Sequence, residues 1–209
     1  MGIEELEDYL ARFKVVVRWM QEDVERSIFD ARANLLVAMG LMSYTEILGS
    51  FLIGHYRKND DGEPRQNKHG DLIETSATDR FNSFFAYLGP LYEKILNNHD
   101  VYSELRCGLA HEYVIKKRAF TIYGSSVRLN DEQMDSLKNP IKEERALCGV
   151  IYEDSSEGKW HILNPKYFVD FKRAGNRLIQ EIEKAENIEL VKAFLERCGN
   201  TNLLNFIVQ

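Results

Sequence analysis

The chain is poor in cysteine, with only Cys107, Cys148 and Cys198, and no two of them form a C-x-x-C pair. Neither a zinc-ribbon spacing nor an even-numbered disulfide framework is available, and such usage suits a reducing, cytoplasmic compartment. An excess of positive charge is also missing. With 33 acidic against 27 basic residues the net charge is −6, which excludes a protein that coats nucleic acid through bulk electrostatics and leaves room only for a local basic patch. The opening MGIEELEDYLARFK lacks the basic start and apolar run of a secretory signal, and Leu6 stands where a myristoylation site wants Ser or Thr, so neither export nor a lipid anchor is expected. His55 and His69 have no ligand spacing and read as solvent histidines. No internal repeat or low-complexity tract is expected.

What is present is ordinary for a globular chain: 44% hydrophobic and 29% charged residues over 209 positions, enough for a sizeable core and against disorder throughout. Ile3, Leu6, Leu10, Phe13, Val17, Met20 and Val24 recur at three- and four-residue steps, predicting an amphipathic helix to about Glu25. From Ser27 to Gly54 the pattern is apolar nearly all round. Glu46, Ser43, Tyr44, Thr45 and Ser50 argue against a membrane span there, so a central buried helix is predicted, with Gly40, Gly49 and Gly54 marking close helix approach. Residues 56–77 are polar and read as a mobile loop. Ser76-Ala-Thr-Asp79 approximates a capping box for a helix to about Asn97, which Gly89-Pro90 should kink or split.

Beyond residue 118 the period turns to alternation. Ala119–Tyr123, Leu147–Tyr152 and Lys159–Leu163 predict a small antiparallel three-stranded meander, an insert over 119–163, with a short helix at Asp131–Leu137 between its first two strands. Asn164-Pro165 then caps a helix to about Ala185, and Ile188–Cys198 gives a last one. The expected fold class is mainly α: an up-and-down helical bundle of a single domain, 1–209, carrying that β insert.

The most informative stretch is Asp100–Arg118, DVYSELRCGLAHEYVIKKR. Asp100 at one end and Lys116, Lys117 and Arg118 at the other match the dipole of one helix. At about 100° per residue, Tyr102, Leu105 and Leu109 share a core-facing stripe, while Arg106, Ala110, Cys107 and His111 make a second face that is not a solvated one. Arg106-Cys-Gly-Leu-Ala-His111 resembles the R-x4-6-H signature of the HEPN superfamily, and Arg106, His111 and Tyr113 together resemble the R-x4-H-x-Y form of HEPN toxins paired with a nucleotidyltransferase antitoxin. The residue after the arginine, commonly Asn, Asp or His in active members, is here Cys107.

That resemblance implies a HEPN-like metal-independent endoribonuclease, working as a homodimer through the Asp100–Arg118 helix in a toxin–antitoxin or phage-defence system. His111 would be base or acid and Arg106 the phosphate anchor, since imidazole titrates near neutrality and guanidinium offers a planar, permanent cation. Glu46, Glu104 and Tyr113 are supporting candidates, and Lys116, Lys117 and Arg118 would contact RNA. No metal and no cofactor is expected, and the partners implied are a second copy, an RNA substrate and an antitoxin, with no membrane. The alternative is a catalytically inactive HEPN-like module that binds a protein partner or nucleotide.

Overall fold

A computed structural model of the chain describes residues 3–31, 33–109, 119–123, 148–153 and 158–200. Within them the architecture is mainly helical. Helix α1 (Ile3–Phe29) runs one turn beyond the predicted end, because Ile28 and Phe29 continue its buried stripe. Helix α2 (Asn34–Ile53) starts later than expected. Its length and composition alone would let it cross a membrane, yet half of its most apolar window is buried inside the fold. It touches α1, α3 (Ala77–Tyr87), α5 (Asn164–Lys184) and α6 (Ile188–Gly199), which makes it the central core helix.

Local signals fix most of the helix ends. At the start of α3 both capping-box bonds form, Asp79 N–H donating to Ser76 Oγ at 3.0 Å and Ser76 N–H donating to Asp79 Oδ2 at 3.0 Å, so two orphan amides are satisfied reciprocally. The expected break at Gly89-Pro90 is a clean split, with α4 (Pro90–Leu96) beginning on the proline. Asn164 is not the cap of α5: it is the first helical residue, and its Nδ2 donates to Asn34 O at 2.8 Å, tying α5 to the start of α2. Of the three glycines expected to allow close approach, Gly49 does so against the Arg80 backbone and Gly54, which ends α2 at a φ of 83°, does so against α6, where a β-carbon would stand 3.3 Å from Ala193 Cα; Gly40 faces open space.

Residues 56–77, read as a mobile loop, carry a hydrogen-bonded platform. Two turns of the same eight-residue pattern follow one another, Arg57-Lys-Asn-Asp-Asp-Gly-Glu-Pro and Arg65-Gln-Asn-Lys-His-Gly-Asp-Leu, so the expectation of no internal repeat is also corrected. In each turn the asparagine side chain accepts two backbone amides, Asn59 Oδ1 from Asp61 and Glu63 and Asn67 Oδ1 from His69 and Asp71. Gly62 and Gly70 supply the positive φ that follows, 83° and 88°. Three backbone bonds then close a triangle, Arg57 N–H to Ile73 O, Ile73 N–H to Arg65 O and Arg65 N–H to Arg57 O.

The three strands pair differently from a meander. Strand β3 (Lys159–Leu163) lies in the middle, antiparallel to β2 (Val150–Glu153) but parallel to β1 (Ala119–Tyr123), with Ala119 opposite Lys159. A mixed sheet of this order needs a crossover between β1 and β2, whereas alternation in sequence reports only that a strand has two faces. The expected helix at Asp131–Leu137 lies outside the described residues.

Beneath the sheet, a buried polar network joins α4 to α5. Asp170, 1% exposed, accepts from Lys166 Nζ at 2.6 and 2.7 Å, from Arg173 at 2.7 Å and from the Tyr92 hydroxyl at 2.7 Å. Tyr92 Oη in turn accepts the Gly149 amide at 2.8 Å. Each member has a partner, which is what permits ionised groups in a core.

Candidate functional site

The stretch around Arg106 departs from the single α-helix expected over Asp100–Arg118. Tyr102–Cys107 is a π-helical turn, followed by Gly108 and Leu109 in α conformation. Such a turn pairs residues five apart, is rare, and concentrates at functional sites. Within it Cys107 lies five residues on from Tyr102, close enough for its sulfur to act on the Tyr102 phenol. Leu105 and Leu109 are fully buried as predicted, and Tyr102 packs edge-on against Phe81 at 5.6 Å.

Arg106 reaches α2. Its Nη2 stands 3.0 Å from Glu46 Oε2, and Arg80 Nη2 from α3 approaches the other oxygen, Oε1, at 3.5 Å. All three side chains are about four-fifths buried or more, Arg106 at 19%, Arg80 at 21% and Glu46 at 16% exposure. Glu46 is therefore not the free surface carboxylate of an ordinary helix. Two guanidiniums share one carboxylate, so the cluster carries a net positive charge. The Arg106–Glu46 contact is an ion pair rather than an aligned hydrogen bond, and among the described residues Arg106 Nε is buried with no acceptor.

Burial raises the pKa of the Tyr102 phenol, with the Cys107 sulfur and the Glu46 carboxylate adding to the effect and Arg106 opposing it. Tyr102 is thus a neutral hydrogen-bonding group beside Arg106. Glu104 is drawn elsewhere: its Oε2 accepts the Trp160 indole N–H at 2.9 Å, which ties the π turn to β3. His111, Tyr113, Lys116, Lys117 and Arg118 lie outside the described residues.

Arg80 and Arg197 carry no mark in the sequence, and His55 is placed differently from its expected solvent position. Arg80 also donates from Nη1 to Thr75 O at 2.7 Å, and Thr75 N–H donates to His55 O at 2.8 Å. His55, expected in solvent, is only 13% exposed; its Nδ1 lies 3.0 Å from Arg197 Nη1 and its Nε2 3.5 Å from Glu74. Since arginine can only donate, Nδ1 accepts and the ring proton sits on Nε2 facing Glu74. Arg197 has its pKa lowered, first by burial and then by the charge of nearby Arg80. No pattern in the sequence joins positions 55, 80 and 197, because folding alone brings α3 and α6 to one end of α2. Among the described residues no three His, Cys, Asp or Glu side chains gather as a metal ion would need. Compared with known proteins, the chain matches no family model, no curated protein and no solved structure.

Proposed function

We propose that this chain is a HEPN-like metal-independent endoribonuclease, a helical bundle with a small β insert, acting as a homodimer. The observation that carries the reading is the setting of Arg106, fixed by Glu46 in a π turn with the second guanidinium of Arg80 alongside. An arginine so held is pre-oriented for a phosphate, and its charge grows in value as the phosphorane gathers negative charge on its oxygens. His111, five positions on, supplies the proton transfer at the ribose 2′-hydroxyl. Two copies meeting at the Asp100–Arg118 segment would surround one scissile phosphate with two such pairs. Lys116, Lys117 and Arg118 would hold the flanking strand, and Tyr113 is the residue a nucleotidyltransferase antitoxin would modify.

The purified protein should then cleave RNA in the presence of EDTA and leave 2′,3′-cyclic phosphate ends. Arg106→Ala and His111→Ala should each abolish cleavage while the circular dichroism stays helical, and Glu46→Gln should weaken it by loosening Arg106. Activity lost on chelation, or full activity in either alanine variant, would refute the reading. A catalytically silent binding module is the second reading, favoured by Cys107, whose thiol is engaged by Tyr102 where active relatives of the motif carry a polar side chain. Toxicity on expression separates the two, since an unrestrained ribonuclease arrests growth and a silent module does not.

A further inference from the structure

The eight-residue turns build a second, separate basic site. Between them and the end of α2 lies an open cleft of about 380 Å³ lined by Ile53, Tyr56, Arg57, Lys58, Arg65, Thr75 and Asp79. Small-ligand sites typically occupy roughly 300–1,000 Å³ and combine an apolar wall with a few convergent polar groups. Here three of the seven lining residues are cations, in a chain whose net charge is −6.

They are not equally committed. Arg57 is held by Asp79, with contacts of 3.0 Å from Nε and 2.7 Å from Nη2, so that pair is neutral and serves as cleft wall. Lys58 pairs with Glu189 at 3.9 Å, its one ion pair among the described residues. Arg65 forms no ion pair among the described residues, and it is exposed. Its backbone, however, is fixed, since it occupies the same position in the second turn as Arg57 in the first and both sit in the closed triangle of amide bonds. Two available cations thus project from a rigid platform.

The aromatic wall is equally prepared. The Tyr56 ring lies 4.5 Å from that of His55 at an interplanar angle of 75°, and its hydroxyl donates to Asn200 Oδ1 at 3.4 Å. A ring held at both edge and tip offers area for a flat ligand group at little cost in side-chain entropy. Ile53 extends the apolar side.

We infer that this cleft binds a phosphate monoester carrying a flat ring, of which a nucleoside monophosphate is the commonest kind, with Arg65 and Lys58 on the phosphate and Tyr56 against the ring. Arg65 can offer two parallel N–H donors to phosphate oxygens, and Lys58 a mobile third charge. The inference does not rest on the ribonuclease reading: Arg65, Lys58 and Tyr56, which would touch the ligand, are outside the Arg106 cluster, and the two sites meet only where Thr75 O in the cleft wall accepts from Arg80.

Titration calorimetry of the native protein with adenosine 5′-monophosphate tests it, with inorganic phosphate, adenosine and a single-stranded oligonucleotide lacking terminal phosphates as the other probes. The monophosphate should bind more tightly than either inorganic phosphate or adenosine, and its affinity should fall with added salt. Arg65→Gln should weaken it about tenfold, as expected for a lost charge-assisted pair, and Tyr56→Leu should reduce it towards that of inorganic phosphate. Chemical-shift changes on the native protein, falling on residues 53–58, 65 and 75–79, check the location without any variant. Absence of monophosphate binding at millimolar concentration, indifference to Arg65→Gln, or shifts confined elsewhere would each overturn the assignment. Binding of the oligonucleotide but not of the monophosphate would also overturn it, and would give the cleft to the inner phosphates of a strand.

Discussion

Substituting alanine at two glycines of the same helix should have opposite effects. Gly40 and Gly49 both lie within α2, where replacing glycine by alanine gains about 1 kcal/mol of helix propensity. At Gly40 a β-carbon would meet nothing within 4 Å, so the gain should appear whole. At Gly49 the same atom would stand 2.6 Å from the carbonyl carbon of Arg80 and closer still to its oxygen. The obstacle is backbone of α3, which cannot rotate aside as a side chain does. Relief requires α2 and α3 to separate, and that separation loosens Phe81, Phe84 and Phe85, all fully buried. Overpacking of this kind costs about 1–3 kcal/mol and sometimes more, and a backbone obstacle belongs at the upper end. Gly49→Ala should thus be destabilised by about 2 kcal/mol net, the overpacking term less the propensity gain. For a chain of this length the midpoint of thermal unfolding should fall by about 4–8 °C, and rise by about 2–4 °C in Gly40→Ala. Urea unfolding followed by circular dichroism and by tryptophan fluorescence gives both values and checks two-state behaviour. A Gly49→Ala protein as stable as Gly40→Ala would refute the close approach of α2 to α3, and with it the geometry that places Arg80 on Glu46.

The buried network should be as sensitive. Asp170→Asn leaves Lys166 without its anion in the core and should cost about 3–5 kcal/mol, read from the same urea curves; a loss under about 1 kcal/mol would mean that the pair is solvated. Burial pushes the Asp79 carboxyl up, but the bonds from Ser76 and the Arg57 guanidinium outweigh it and hold its pKa below the ordinary value. The unfolded chain therefore takes up that proton first as pH falls, so Asp79 contributes stability above about pH 4 that is lost below it. Asp79→Asn should flatten that acid limb, and an unchanged slope would count against the shift. Burial pushes the Cys148 and Cys198 thiols up to about 12, whereas Cys107 is partly exposed. A thiol reagent at mildly alkaline pH should label Cys107 first and the other two only on unfolding, as thiolate and access both require; three equal rates would contradict the burial.

Much of the helical frame was legible because it rests on local chemistry. The stripe of α1, the capping box at Ser76 and Asp79, and the split at Gly89-Pro90 are each decided by residues within one or two turns. The sheet was not, since the parallel pairing of β1 with β3 depends on a crossover that alternation does not encode. The platform over 56–77 was readable in principle. Its signal is asparagine three before glycine, twice, eight residues apart, and it was hidden by a polar composition that ordinary loops share. Of the site, Glu46 could be singled out as a carboxylate inside an apolar run, and it does meet Arg106. Arg80 and Arg197 carried no mark, because their positions matter only after α3 and α6 have packed. The π turn was invisible too: one extra residue in a turn leaves the apolar spacing on either side intact.

The platform also bears on how this chain could change length. Thr75 donates to His55 O at 2.8 Å, so the backbone leaves the end of α2 and returns to the start of α3 at almost the same point. Whatever lies between is closed off at its neck, and the helices do not register its extent. Each turn carries its own asparagine and glycine, but the amide triangle needs all three of Arg57, Arg65 and Ile73, so removing one eight-residue turn would keep the remaining turn's Asn–Gly chemistry and open the triangle. The cleft's rim is therefore set by two turns closed on each other, while the packing of α2 on α3 depends only on the neck at His55 and Thr75.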